Sequence, residues 1–100
     1  MSGFSTHVLD TAVGKPAAGV PVRLFREHRL IAEGLTNNDG RWSTTYSDPG
    51  IYRIIFDIAG QYPGSFYPVV EISFRISGSS AHYHVPLLLS PFGYTTYRGS

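Results

Sequence analysis

The sequence predicts an all-β domain, a sandwich of two sheets built from about eight strands in antiparallel or mixed pairing. Three observations carry this. Val20, Val22 and Leu24 alternate with Pro21, Arg23 and Phe25, a period of two. Gly/Pro/Asn turn clusters break the chain at short, even intervals, with β-branched and aromatic residues crowding the segments between them. No stretch shows a helical period, and no repeat or linker interrupts the pattern.

In order, a first strand is expected near Phe4 to Asp10, a second around Val20 to Phe25 and a third near Leu30 to Leu35. Asn37-Asn38-Asp39-Gly40 reads as a hairpin, because Asn, Asp and Gly tolerate the positive φ of such turns. Arg41 to Tyr46 follows, and Asp48-Pro49-Gly50 places Pro and Gly where a type II turn wants them. Ile51 to Ile58, Val69 to Ile76, Tyr83 to Leu89 and Tyr94 to Arg98 complete the count. Pro86 sits awkwardly inside the seventh strand, since proline donates nothing to a ladder. It implies a bulge, or a position whose missing N–H has no partner to lose.

Composition narrows the function classes. One hundred residues make one domain, 1–100, and zero cysteines exclude both a disulfide and a thiolate. The net charge is +1, with Arg23, Arg26, Arg29, Arg41, Arg53, Arg75 and Arg98 scattered, so no nucleic-acid partner is expected. No apolar run approaches the roughly 20 residues of a membrane span. Met1-Ser2-Gly3-Phe4 lacks the basic-then-apolar start of a signal peptide, so a cytoplasmic location is expected. Few charges alongside 14% aromatic residues suit a chain that buries surface in an oligomer.

Strand parity then selects residues. Ser5, His7 and Leu9 share one face of the first strand. On the seventh, Tyr83, Val85, Leu87 and Leu89 form an apolar inward set, which sends His82, His84, Pro86 and Leu88 outward. Trp42 is the core residue of the fourth strand, so Arg41 and Ser43 face out. His7, Arg41 and His84 thus all lie on outer faces, but parity alone does not bring them together. His28, between Glu27 and Arg29, reads as a solvated turn residue. His82 shares the face of His84 but lies nearer the strand end. Phe56, Phe66 and Phe74 read as core or interface packing.

The richest stretch is the last, His82-Tyr83-His84-Val85-Pro86-Leu87-Leu88-Leu89-Ser90-Pro91-Phe92-Gly93-Tyr94-Thr95-Thr96-Tyr97-Arg98-Gly99-Ser100. It runs from paired histidines through an apolar strand and a tight turn to an aromatic and a guanidinium, with no low-complexity tail. The segment closely resembles the C-terminal signature of the 5-hydroxyisourate hydrolases, the enzyme branch of the transthyretin-like family. Thr6-His7-Val8-Leu9-Asp10-Thr11 with Gly14-Lys15-Pro16-Ala17 resembles that family's opening motif, so the likeness covers nearly the whole chain.

The resemblance implies a transthyretin-like (prealbumin-like) sandwich in which the fourth, first, seventh and eighth strands lie side by side. Arg41, His7 and His84 would then project from adjacent strands on one face, with Thr95, Tyr97 and Gly99 continuing the row. It implies a homotetramer with sites at the dimer–dimer interface. There His7, Arg41 and His84 would hydrolyse 5-hydroxyisourate to 2-oxo-4-hydroxy-4-carboxy-5-ureidoimidazoline in urate breakdown. Histidine can accept or donate a proton near neutrality, and arginine suits an anionic, carbonyl-rich substrate. Tyr97, Arg98, Gly99 and Ser100 would bind substrate at the rim. Family members usually carry a short helix between the fifth and sixth strands; Ala59-Gly60-Gln61-Tyr62-Pro63-Gly64-Ser65 predicts it reduced or absent.

No metal and no cofactor are expected, since His7, His82 and His84 have no carboxylate to complete a site and Arg41 would repel a cation. Neither a Gly-x-Ser-x-Gly elbow nor a phosphate-cradling loop is present. Two other functions compete. A small-ligand carrier of the transthyretin branch would lack the histidine at 84 and the Tyr-Arg-Gly-Ser ending. A structural sandwich of the carboxypeptidase regulatory-like kind resembles Gly14 to Val22, Asn38-Asp39-Gly40 and Pro49-Gly50-Ile51-Tyr52, but leaves everything from His82 unexplained.

Overall fold

The structure, a computed structural model, describes residues 2–78 and 81–100. The period-two alternation resolves into strands β1 (Ser2–Asp10), β2 (Lys15–Pro16), β3 (Pro21–Arg26), β4 (Arg29–Leu35), β5 (Arg41–Tyr46), β6 (Gly50–Asp57), β7 (Val69–Ile76), β8 (Tyr83–His84), β9 (Leu87–Ser90) and β10 (Gly93–Thr96). There is no helix among the described residues, and Ile58 to Pro68, where the family helix was expected to be reduced, is a series of turns. One sheet runs β4-β3-β6-β7; in the other, of six strands, β1 is central, paired with β5 and the short β2 on one side and with β8 and β9 on the other, and β10 closes the edge. This is the side-by-side order of the fourth, first, seventh and eighth expected strands.

Between the sheets, Phe4 and Val8 from β1, Val22 and Leu24 from β3, Ile54 and Phe56 from β6 and Leu87 from β9 are all buried. Each contributes about 1.5–3 kcal/mol of apolar transfer energy. Trp42 points inward as expected, half-buried, with its ring edge-on to Phe4 at 6.4 Å. It reaches the facing sheet, where a Cβ on Gly34 would collide with its indole nitrogen. Phe74 stacks on Phe4 at 5.3 Å, and Phe56 is buried, but Phe66 is exposed and leans on Tyr67.

Two turns behave differently from expectation. Asn37 to Gly40 joins β4 to β5, which lie in different sheets, so it is a corner and not a hairpin. Turn residues specify a chain reversal, not the strand that follows as partner. Here the partners are fixed by Thr36, whose hydroxyl donates to Ala17 O at 2.7 Å, and by Val8 N–H, which donates to Gly40 O at 2.7 Å. The corner therefore delivers Arg41 to β1. Asp48-Pro49-Gly50 also crosses between sheets, and Gly50 at φ 151° departs from the roughly 80° of a type II turn. The two-residue hairpins are at Glu27-His28 and Pro91-Phe92.

Pro86 interrupts the seventh expected strand, splitting it into β8 and β9, yet it makes no bulge. Residue n of β1 lies beside residue n + 79 on both sides of the break: Phe4 beside Tyr83, Ser5 beside His84, Leu9 beside Leu88. A bulge would have changed that offset. The second reading holds: Val85 N–H donates to Ser5 O, so the next amide along would point away from β1. The buried Thr6 hydroxyl caps Val85 O at 2.6 Å and bridges the gap in the ladder.

Candidate active site

An unbroken register makes the outer face of the six-stranded sheet a lattice of cross-strand rows. Arg41 is the direct partner of His7. In the neighbouring row Ser43 pairs with Ser5, Ser5 with His84, and His84 with Gly99. His7 and His84 are therefore diagonal neighbours, roughly 7–8 Å apart along the lattice. The terminal segment keeps the β9–β10 register beyond Thr96, bringing Tyr97 opposite Pro86 and Gly99 opposite His84, where Gly99 N–H donates to His84 O at 2.8 Å. Three side chains separated by most of the sequence thus occupy one patch.

Each is held by a local device. His7 Nε2 lies 2.8 Å from Asp39 O. A carbonyl only accepts, so His7 donates from Nε2, and Nδ1 is the ring nitrogen left free of this bond. Asp39 is presented by the corner, where the Asn37 carboxamide oxygen accepts from Asp39 N–H at 2.9 Å and from Arg41 N–H at 3.0 Å. Gly40 is obligatory there: its φ is +74°, and a Cβ would strike Val8 O. The Arg41 side chain is exposed and has no acidic partner among the described residues.

His84 is half-buried, with Nδ1 2.7 Å from Ser5 Oγ. Its side chain packs against Gly99, where an added Cβ would stand 2.5 Å from Cδ2. Burial, followed by the Arg41 guanidinium, holds its imidazole below the ordinary value of 6.5; His7 and His82 act in the same sense, and hydrogen bonding to the Ser5 backbone opposes. His84 is consequently neutral at pH 7, with Nε2 available. The arrangement offers two imidazoles, that of His84 neutral, beside a cation without an acidic partner among the described residues. Such a set can hold a water molecule, take its proton and stabilise an oxyanion.

Not every expected site residue joins this patch within one chain. Tyr97 is 57% exposed and stands on the histidine face by register, with Gly99 following, while Ser100 has the parity of Arg98. Arg98 has the opposite parity, and its guanidinium lies 4.4 Å over the Tyr83 ring, at the mouth of the sandwich. The apolar patch also differs from expectation. Pro86 is buried, walled by its lattice neighbours, and Leu9 and Leu88 are only partly exposed, so they do not form an open apolar face. Exposed apolar surface lies instead at Phe92, at 79%, and along Phe66, Tyr67, Tyr94 and Tyr97.

Sequence reasoning assigned no part to Ser5, Gly3 or the Asp39 carbonyl. Parity had put Ser5 on the face of His7, which was the available signal; the backbone carbonyl left none.

Comparison with known proteins extends this geometry. The HIUase/Transthyretin family model matches residues 4–99. A relative from Caulobacter vibrioides named 5-hydroxyisourate hydrolase is 44% identical, covering 100% of both chains. That alignment runs over 115 positions against 100 residues here, so this chain lacks segments the relative has. Among solved structures, the 5-hydroxyisourate hydrolase of Klebsiella pneumoniae superposes with a TM-score of 0.89 at 36% identity over 100% of both chains. Sea bream transthyretin in complex with thyroxine superposes with a TM-score of 0.88 at 29% identity, over 96% of this chain and 93% of that one. By sequence along nearly its full length and by strand order, the chain belongs to the HIUase/Transthyretin family.

Proposed function

We propose that this chain is a cofactor-free 5-hydroxyisourate hydrolase. The observation that carries the reading is the outer-face lattice in which His7 pairs with Arg41 and lies diagonal to His84. The family's hydrolase and hormone-binding members share the fold, so the fold does not choose between them; the side chains on this face do. A hydrophobic ligand would gain nothing from a bare guanidinium and two imidazoles, whereas the hydrolysis of a cyclic amide uses all three.

In the proposed reaction, His7 Nδ1 and His84 Nε2 hold a water molecule between them, and His84 Nε2 takes its proton as the oxygen bonds to the amide carbonyl carbon. Arg41 neutralises charge growing on the carbonyl oxygen. The C–N bond then breaks, and the proton returns from Nε2 to the leaving nitrogen. Water is the only co-reactant, and the histidines end as they began. Tyr97 and Gly99 form the wall against which the planar substrate lies, and Arg98 pins that wall through Tyr83.

One chain leaves the patch open to solvent, with Tyr97 exposed beside it. A homotetramer that packs two such faces together would close the site and cover that apolar surface. A monomeric mass by light scattering at micromolar protein would overturn the enclosed-site part of the reading. For the activity itself, uricase acting on urate generates 5-hydroxyisourate in place. Its ultraviolet decay should run well above the spontaneous rate with this protein present. An unchanged decay with folded protein would favour a ligand carrier.

A further inference from the structure

We propose that Ser5 and His82 form a positioning and proton-relay chain behind His84, in which the Ser5 hydroxyl sets the tautomer of His84 and passes its Nδ1 proton to His82. The inference rests on His84 being the residue that takes the water proton.

The geometry is specific. Ser5 Oγ lies 2.7 Å from His84 Nδ1 and 2.8 Å from His82 Nε2. A hydroxyl has one hydrogen, so with two ring nitrogens it donates to one and accepts from the other. The neutral chain therefore has two states. In one, His84 carries Nδ1–H, donates to Ser5 and leaves Nε2 unprotonated, while Ser5 donates to His82 Nε2. In the other, all three hydrogens are reversed and His84 Nε2 carries the proton. Only the first makes His84 a base towards water.

His82 is built into place as carefully as His84. Its ring lies over Gly3, where an added Cβ would stand 2.6 Å from Nδ1. Gly3 is not at positive φ, so backbone conformation does not account for a glycine there. Clearance for the His82 ring does. Each histidine of the pair thus lies on its own glycine, His82 on Gly3 and His84 on Gly99, with Ser5 between them. A surface residue with no role needs no such seat.

The proton count closes. When His84 Nε2 takes a proton from water, its Nδ1 proton moves to Ser5 Oγ and the Ser5 proton moves to His82 Nε2. His84 ends neutral with Nε2–H, ready to protonate the leaving nitrogen, and the positive charge rests on exposed His82. The groups facing His84 favour this transfer: Arg41 on β5 and His7 on β1 both oppose charge on the inner ring. Return of the three protons resets the chain.

The test uses 15N-labelled full-length protein and reads the His84 tautomer by two-bond 15N–1H correlation, with steady-state kinetics alongside. Wild type should show His84 mainly as Nδ1–H. Ser5→Ala and His82→Phe, the latter keeping a flat ring over Gly3, should both turn it to Nε2–H. Each should lower kcat about 10–100-fold with KM changed less than about threefold, and Ser5→Thr should restore both readouts. An unchanged tautomer in the two variants overturns the proposal, whether or not kcat falls, because a fall alone would mark a structural role. His82 is exposed, so its variant tests the chain even if Ser5→Ala fails to fold. Because the tautomer is read without turnover, a wild type inactive on 5-hydroxyisourate would refute the hydrolase reading and leave this coupling independently measured.

Discussion

Both sheets carry arginines on their outer faces, and they treat them in opposite ways. On the four-stranded sheet Arg53 is 3.1 Å from the Glu71 carboxylate and 4.9 Å above the Phe25 ring, with Arg23 also over Phe25 at 5.9 Å. The Arg53 charge there is neutralised locally. On the six-stranded sheet Arg41 faces two imidazoles and no carboxylate, and burial, with its field second, keeps His84 neutral. One face is arranged for solvation, the other leaves its electrostatics unsatisfied until something arrives. An uncompensated cation beside partly buried bases is the mark of a working surface.

That contrast is most strongly challenged by removing its proton acceptor. His84→Asn should lower kcat about 10²–10⁴-fold in a folded protein, measured by the ultraviolet decay of 5-hydroxyisourate. Retention of full turnover would make the two faces functionally alike. His7→Asn should follow, with a loss of about 10²-fold or more.

Next in size is Arg41→Gln, expected to cost about 10²-fold in kcat. It also tests the electrostatic argument by direction. With the guanidinium gone, His84 loses a cause of its lowered pKa, so the acidic limb of the kcat profile should move to higher pH. The same shift has a stability sign. His84 folded below 6.5 and unfolded at 6.5 stabilises the fold fully above pH 6.5, and that part is lost as pH falls towards the folded value. Urea denaturation of wild type and Arg41→Gln between pH 5 and 7 should show a shallower loss in the variant.

Gly99→Ala should act through shape alone. The added methyl must push the His84 ring aside, giving about 10-fold lower kcat with little change in melting temperature, since Gly99 lies at the sheet edge. Smallest of all, Glu71→Ala on the opposite face should change stability by under about 1 kcal/mol and leave kcat untouched. A comparable loss of activity there would erase the distinction between the faces.

Much of this was legible in the chain. Period-two alternation located the strands because burial on one side of a pleat demands it, and parity put His7, Arg41 and His84 outward. It could not make them neighbours, because strand order depends on which edges pair; the likeness to a known family supplied the order. The Asn37 to Gly40 corner was visible as a turn, but its sheet-crossing was not, since Thr36 and Val8 decide it from afar. The Pro86 break misled in one respect: an unchanged register depends on Thr6 bridging the gap, a tertiary bond with no sequence mark. Ser5 went unassigned because a strand serine carries no signal until two imidazoles are found around it.

The parallel pairing of β1 with β8 and β9 has a consequence for biosynthesis. Ser5 and His84 meet across 79 residues, and β1, made well before β8 and β9, is the centre of its sheet. During translation it can pair with β5 but must wait for β8 and β9 to gain its second neighbour. Until then an extended edge stands open, the kind of edge that recruits foreign strands. Folding dominated by such distant closures is slow, on the order of milliseconds to seconds. The face that carries His7, Arg41 and His84 is therefore assembled only once β8 has paired with β1, long after β1 and β5 have met.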